Sequence, residues 1–282
     1  MSTPTRPELR IVPPPDPATG PGSVAVPVTQ WQDGRALQRR EPVAEEVPVA
    51  LVYNGISHAV MMATPNNLED FGLGFSLSEG IIRTRNELFD IEVEPVAQGI
   101  EVRMTIAAEA FALLKQRRRN LTGRTGCGLC GTESLSEAVC QPRPVQSELR
   151  VRAAAVHAAI ESLRRQQTLH EATGATHAAG WADADGRVSM VREDVGRHNA
   201  LDKLIGALAR AGQALDDGFV VLTSRASYEM VQKSAAAGIA LVAAVSAPTS
   251  LAIRLAEEAG VTLAGFVRPG RHTVYSHPQR IA

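Results

Sequence analysis

Two cysteines three residues apart, Cys127 and Cys130, lie in the run NLTGRTGCGLCGTE, residues 120–133, which holds four glycines and no apolar period. A C-x-x-C pair admits three chemistries. A thioredoxin-type redox pair belongs between a strand and a helix of a compact βαβ unit, whereas this pair sits mid-chain in a glycine-rich loop. Half of a structural zinc site needs two further ligands. Cys140 supplies at most a third, and no second C-x-x-C or H-x3–5-H occurs. A thiolate arm that carries a group between partners needs reach, which glycines provide, and a nucleophilic sulfur. Lys115, Arg117, Arg118, Arg119 and Arg124 fall within ten residues that contain no acid. Nearby cations favour thiolate over thiol and attract phosphate; cations also gather at helix C-termini for the dipole alone.

Metal-assisted hydrolysis has the wrong residues. The zinc deaminases need H-x-E ahead of P-C-x-x-C. Here Gly126 precedes Cys127, no H-x-E comes before it, and His170-Glu171 with Gly174 excludes H-E-x-x-H. No metal of the chain's own is expected.

Two other segments have the chemistry of ligand loops. LTSRAS ends a predicted strand and opens a helix, which places Ser224, Arg225 and Ser227 at exposed N–H groups, a phosphate-binding arrangement; helix capping by serine explains the same pattern. FVRPGR, after the last predicted strand, supplies Phe266, Val267, Arg268, Pro269, Gly270 and Arg271. An aromatic face and two projecting guanidinium forks on a Pro-Gly turn suit a phosphorylated or purine-bearing ligand. REDVGRHNALDK packs Arg192, Glu193, Asp194, Arg197, His198, Asn199, Asp202 and Lys203 into one helix entry. Its acids suit the dipole, and His198 is a candidate proton donor. Cys140 reads as a small hydrophobe.

The elements that must position these residues follow from composition and pattern. The 282 residues carry 29 basic and 30 acidic side chains, net −1. That excludes a polycation that binds nucleic acid wholesale. Three cysteines are too few for a secreted disulfide framework and point to a reducing cytoplasm. The N-terminus has no apolar signal core. The longest apolar run, Ala235 to Val245, is too short for a membrane span. Eight of seventeen prolines lie in the first 27 residues, so residues 1–28 are expected to form a disordered tail, with structure beginning near Val47. Asn54-Gly55 between VPVALVY and ISHAVMMA marks a hairpin. Thr64-Pro65 is expected to cap a helix that carries Leu68, Phe71, Phe75 and Ile82. A second hairpin turns at Gln98-Gly99, and a helix spans 107–119. Beyond a helix at 151–169, strands and helices alternate to the C-terminus, which predicts a largely parallel sheet covered by helices. The expected organisation is an α+β domain over 29–145 that ends in the C-x-x-C loop, and an α/β domain over 146–282.

Five segments together carry a resemblance: YNGISHAVMMATPNNLEDFGLGFSLSEGII, TGRTGCGLCGTESL, REDVGRHNALDK, TSRASYEMVQKSAAAGI and GFVRPGRHTVYSH. In this order, from about Val47 to the C-terminus, they resemble the formate dehydrogenase accessory sulfurtransferase family, FdhD. The resemblance implies a sulfur carrier that receives persulfide sulfur from a cysteine desulfurase. It would pass that sulfur to the molybdenum (or tungsten) bis(molybdopterin guanine dinucleotide) cofactor, its bound substrate, before insertion into the formate dehydrogenase catalytic subunit. It implies a homodimer and a second domain of αβα, cytidine-deaminase-like fold without the zinc site. By motif position, Cys127 is the persulfide cysteine and Cys130 the second cysteine. Phe266 to Arg271, with Ser224 and Arg225, would hold the guanine nucleotide moiety. A non-catalytic cofactor chaperone with a structural cysteine or zinc site is the alternative.

Overall fold

The computed structural model describes residues 10–11, 20–121 and 144–282. Three sheets order these residues. The first has the order β1-β3-β2, from Arg10–Ile11 (β1), Ser23–Gln32 (β2) and Arg35–Ala44 (β3). Asp33 and Gly34 both have positive φ, 50° and 75°, as a tight hairpin turn requires. This corrects the expected tail at residues 23–28 and the expected start near Val47; residues 1–9 and 12–19 of that tail lie outside the described residues. Val24, Val26, Val28 and Trp31 are strand-forming residues, and Pro27 is tolerated because β2 is an edge strand with no inner partner for its missing N–H.

The second sheet has the order β5-β4-β7-β6, from Val47–Tyr53 (β4), Ile56–Ala63 (β5), Leu88–Val96 (β6) and Gly99–Ile106 (β7). Both predicted hairpins are present; Asn54 and Gly55 have φ of 45° and 81°. Helices Leu68–Ser78 (α1) and Ala108–Leu121 (α2) accompany it. Val49, Leu51, Tyr53, Phe71, Phe75, Val102, Met104, Ala110 and Leu114 form its core. The helix does not start at Thr64-Pro65. Its N-cap is Asn67, because Thr64 is held elsewhere: its N–H donates to Asp194 at 3.0 Å and its hydroxyl accepts from Val195 N at 3.1 Å. Ile82 is buried beyond the helix end.

The third sheet has six strands in the order β13-β12-β11-β10-β8-β9. They are His177–Asp183 (β8), Val188–Asp194 (β9), Gly218–Leu222 (β10), Leu241–Ala244 (β11), Thr262–Arg268 (β12) and Arg271–Ser276 (β13). Only β10, β11 and β12 run parallel; β8, β9 and β13 pair antiparallel. The expectation of a largely parallel sheet is therefore corrected to a mixed one. The short Asp185-Gly186 and Pro269-Gly270 turns leave no room for the crossover that a parallel neighbour needs. The predicted helix over 151–169 is two helices, Ala153–Arg165 (α3) and Thr168–Thr173 (α4). Arg197–Ala211 (α5), Tyr228–Ala236 (α6) and Ser250–Glu258 (α7) complete the set. Residues of α5, α6 and α7 share one core with the sheet, and those of α3 share another. Strands β10 and β11 are buried throughout, as expected of strands covered on both faces. No described helix is long and apolar enough to cross a membrane.

The second and third sheets meet through α1 and α5, whose backbones touch. A Cβ on Gly74 would lie 1.7 Å from the Asp202 carbonyl oxygen, and one on Gly206 1.9 Å from that of Asp70. Only glycine permits that approach.

Candidate functional site

Loops that follow the three parallel strands meet along one edge of the six-stranded sheet, where open α/β sheets bind ligands. Ala226 N donates to Ala247 O at 3.3 Å, Thr249 N to Ala226 O at 3.2 Å and Phe266 N to Ser246 O at 3.2 Å. The Arg268 guanidinium donates to the carbonyls of Val245 and Val267. The two ligand loops picked out from sequence, Ser224-Arg225 and Phe266 to Arg271, are thereby one neighbourhood.

Side chains within it differ from expectation in two ways. Phe266, Val267 and Arg268 belong to β12 and Arg271 opens β13, so the segment is a hairpin and does not follow the last strand. Arg268 does not project; its guanidinium is spent on main-chain carbonyls and it is half-buried. Arg271 is exposed, and with Phe266, His272 and Thr273 it lines a cavity of about 320 Å³. Phe266 has a φ of 52° and is 47% exposed. A left-handed conformation is strained for an aromatic residue and is found preferentially at functional positions. Val267 is core, while Pro269 and Gly270 are exposed at the turn, with Gly270 at a φ of 75°. Behind the hairpin, His272 Nδ1 and His157 Nε2 share a hydrogen bond of 2.8 Å. Burial, with His157 beside it, holds His272 below the usual imidazole range.

Arg225 is exposed, and Ser224 is buried with its hydroxyl donating to the Arg225 carbonyl at 3.1 Å. Ser227 occupies the N-cap of α6 yet makes no capping hydrogen bond. The N-termini of α5 and α6 converge there, His198 Nε2 lying 3.8 Å from the Glu229 carboxylate.

REDVGRHNALDK serves mainly to fasten the two bodies. Arg192 and Arg210 both grip Asp70, at 2.7 and 2.8 Å. Glu193 accepts from the N–H groups of Leu169 and His170 at 2.8 Å. Asp194 binds Lys203 at 2.6 Å and Asn199 at 3.0 Å. Asp202 accepts from Ser78 at 2.6 Å and from Lys233 at 3.0 Å. Burial pushes the Asp202 carboxyl up and the Lys203 ammonium down from their ordinary values. Sequence reasoning missed Asp70, Arg210 and Lys233. The signal was there in Asp202-Lys203, charges flanked by Leu201, Leu204 and Ile205 on an apolar helix face.

Cys127, Cys130, Cys140 and Arg124 lie outside the described residues. Lys115 stands 4.7 Å over the Phe111 ring. Among the described residues no group of three His, Cys, Asp or Glu could hold a metal ion.

A mixed αβα layer, fastened to a smaller sheet and carrying one ligand-type edge, is the class of protein these features define. The chain belongs to the FdhD/NarQ family, whose model matches residues 44–282. It is 60% identical to the sulfur carrier protein FdhD of Cupriavidus necator over 254 residues, 90% of this chain and 88% of that one. It is 56% identical to the sulfur carrier protein FdhD of Bordetella bronchiseptica over 267 residues, 94% and 97% of the two chains. A crystal structure from Desulfotalea psychrophila, provisionally named a formate dehydrogenase accessory protein, matches with a TM-score of 0.72 at 27% identity. That match covers 93% of this chain and all of the other.

Proposed function

We propose that this chain is a sulfur carrier that serves formate dehydrogenase. The observation that carries the reading is the near-full-length similarity to relatives named as sulfur carriers. In this reading Cys127 is the carrier. Its thiolate attacks the outer sulfur of a cysteine desulfurase persulfide; the new S–S bond forms as the old one breaks, and the desulfurase leaves as a thiolate. No net oxidation occurs, and the exchange needs only a nucleophilic sulfur and a reachable leaving group. Cys130 lies three residues on as the second cysteine of the loop. The acceptor is the molybdenum bis(molybdopterin guanine dinucleotide) cofactor, bound as substrate.

The sheet edge supports a place for the guanine nucleotide moiety. Phe266 offers a ring to stack on, Arg271 a free fork for phosphate, and Arg225 a second cation beside the α6 N-terminus. Val267, Arg268 and Ser224 support that edge from within, and Pro269 and Gly270 form its exposed turn. A cytidine-deaminase-like reading of 146–282, a division from the N-terminal sheets, a cytoplasmic location, a homodimer and contact with the dehydrogenase catalytic subunit complete the proposal. The mixed sheet with helices on both faces supports the first of these.

Complementation tests the reading. In cells that lack this chain's gene, the wild type restores formate dehydrogenase activity and Cys127→Ala does not. Full restoration by Cys127→Ala refutes the carrier role.

A further inference from the structure

A cavity of about 590 Å³ opens at the seam between the two bodies, away from the ligand loops. Three segments wall it: the turn that leaves α1, from Leu77 to Arg85; the second half of α5 and the turn beyond it, from Ile205 to Leu215; and the end of α6, from Ala235 to Ile239. It therefore lies at the C-terminal ends of α5 and α6. The loop edge lies at their N-termini, about 22 Å away along the 15 residues of α5.

Small residues and glycine turns make the hollow. Ala209, Ala235, Ala236 and Ala237 withhold side-chain volume, while Leu77 packs against the cores of both bodies. Gly80 and Gly212 follow α1 and α5 with φ of 61° and 63°, and a Cβ on either would meet nothing within 4 Å. Carbonyls at the helix ends are taken by the turns themselves. Ile81 N donates to Ser76 O at 2.8 Å, Gln213 N to Leu208 O at 3.0 Å and Ile239 N to Ser234 O at 2.9 Å. Such turns leave the wall apolar.

Three polar side chains line the cavity, Arg83, Arg85 and Gln213, and no acid does. Gln213 donates to Ala214 and Asp217. Both arginines are exposed, and no ion pair among the described residues engages either guanidinium. The neighbouring acids are committed: Glu79 to Lys233 at 2.6 Å, and Glu87 to the Arg83 main-chain N–H at 2.7 Å. The ends of α5 and α6 carry about half a negative charge each, which two guanidinium groups outweigh. An apolar hollow of ligand size between two bodies, with a cationic mouth, demands an apolar body with one anionic end.

We propose that the seam cavity binds a medium- or long-chain monocarboxylate, its alkyl chain against Leu77, Ile82, Ile205 and Leu208 and its carboxylate on Arg83 and Arg85. A guanidinium fork matches the two oxygens of a carboxylate. The site uses no cysteine and no residue of the ligand loops, so it goes beyond the sulfur-carrier reading and does not rest on it. Its walls come from both bodies, so a bound chain clamps them together and stabilises the fold.

Titration calorimetry of the full chain with octanoate, decanoate and neutral decan-1-ol, below micelle-forming concentrations, tests the site. Affinity should rise about fourfold per added methylene, and decanoate should bind about tenfold tighter than decan-1-ol. Arg83→Ala and Arg85→Ala should erase most of that preference and leave the alcohol unaffected. Ala236 is exposed, so Ala236→Phe can fill the cavity without disturbing the core; it should abolish binding of both ligands at an unchanged Tm. Decanoate should also raise the Tm of the wild type and not that of Ala236→Phe. Equal affinity for acid and alcohol, absence of binding, or decanoate binding that survives in Ala236→Phe overturns the proposal. The last result would mean that the alkyl chain partitions onto some other apolar surface.

Discussion

Gly74→Ala sets two effects of opposite sign against each other. Alanine is favoured over glycine within a helix by about 1 kcal/mol. At this position its Cβ would lie 1.7 Å from Asp202 O and 2.7 Å from Gly206 N. A carbon needs about 3.3 Å from an oxygen, so α1 and α5 must part by about 1.5 Å. Neither obstacle can swing away, because both are main chain. Overpacking of this kind costs about 1–3 kcal/mol. Parting the helices also strains the pairs across the seam, Ser78 to Asp202 at 2.6 Å and Arg210 to Asp70 at 2.8 Å. Disrupting a buried pair outright costs about 3–5 kcal/mol, and partial strain takes a share of that. The net expectation is destabilisation by about 2 kcal/mol, or a Tm lower by roughly 4–8 °C for a chain of this size. Thermal unfolding followed by circular dichroism measures it, and Gly206→Ala should behave alike. A Tm that rises would show that helix propensity wins and that the backbones do not touch as described.

Deleting residues 1–28 removes the first six of the ten paired residues of β2 and the packing of Gly22 near Thr64 and Leu169; the expected outcome is a lower Tm, checked by the same melt. Arg271→Ala should weaken GDP binding about tenfold, with Arg271→Lys recovering part of it because a point charge replaces a fork. Arg268→Ala should lower the Tm as well as the affinity, since its guanidinium ties β12 to Val245. His177, His198 and His272 titrate below the usual 6.5 in the folded chain. The unfolded chain therefore binds more protons below that pH, and stability falls as pH drops from about 6.5 towards the folded pKa values. Denaturant unfolding at pH 7 and 5.5 should show the loss, and His198→Gln should reduce it.

Short-range signals were legible where local chemistry decides the outcome. Asn54-Gly55 gave its hairpin because positive φ at two successive positions suits few other pairs. The alternation after residue 176 gave five strands of the six-stranded sheet and its helices in order, but not β13, which follows the Pro269-Gly270 turn. Failures came where long-range contacts decide. Thr64-Pro65 has the local form of a helix start, yet Asp194 and Val195, from the other body, claim Thr64. Arg268 and Arg271 look equivalent in sequence, but only the fold shows that the first spends its guanidinium on Val245. The β2–β3 ribbon was hidden by proline content, although Asp33-Gly34 carries the same turn chemistry as Asn54-Gly55. At the candidate site, Ser224, Arg225, Ser227 and Phe266 were readable as ligand chemistry, whereas Arg197 and Glu229 come together with Ser227 only where two helix starts converge.

Intact-mass spectrometry after incubation with a cysteine desulfurase and free cysteine addresses the sulfur-carrier claim most directly. The wild-type chain should gain the mass of one or more sulfur atoms, and a thiol reductant should remove them. Cys140→Ala should load as the wild type does, and Cys127→Ala should not load. A reductant-sensitive sulfur adduct that persists in Cys127→Ala, or one lost in Cys140→Ala alone, would contradict the account.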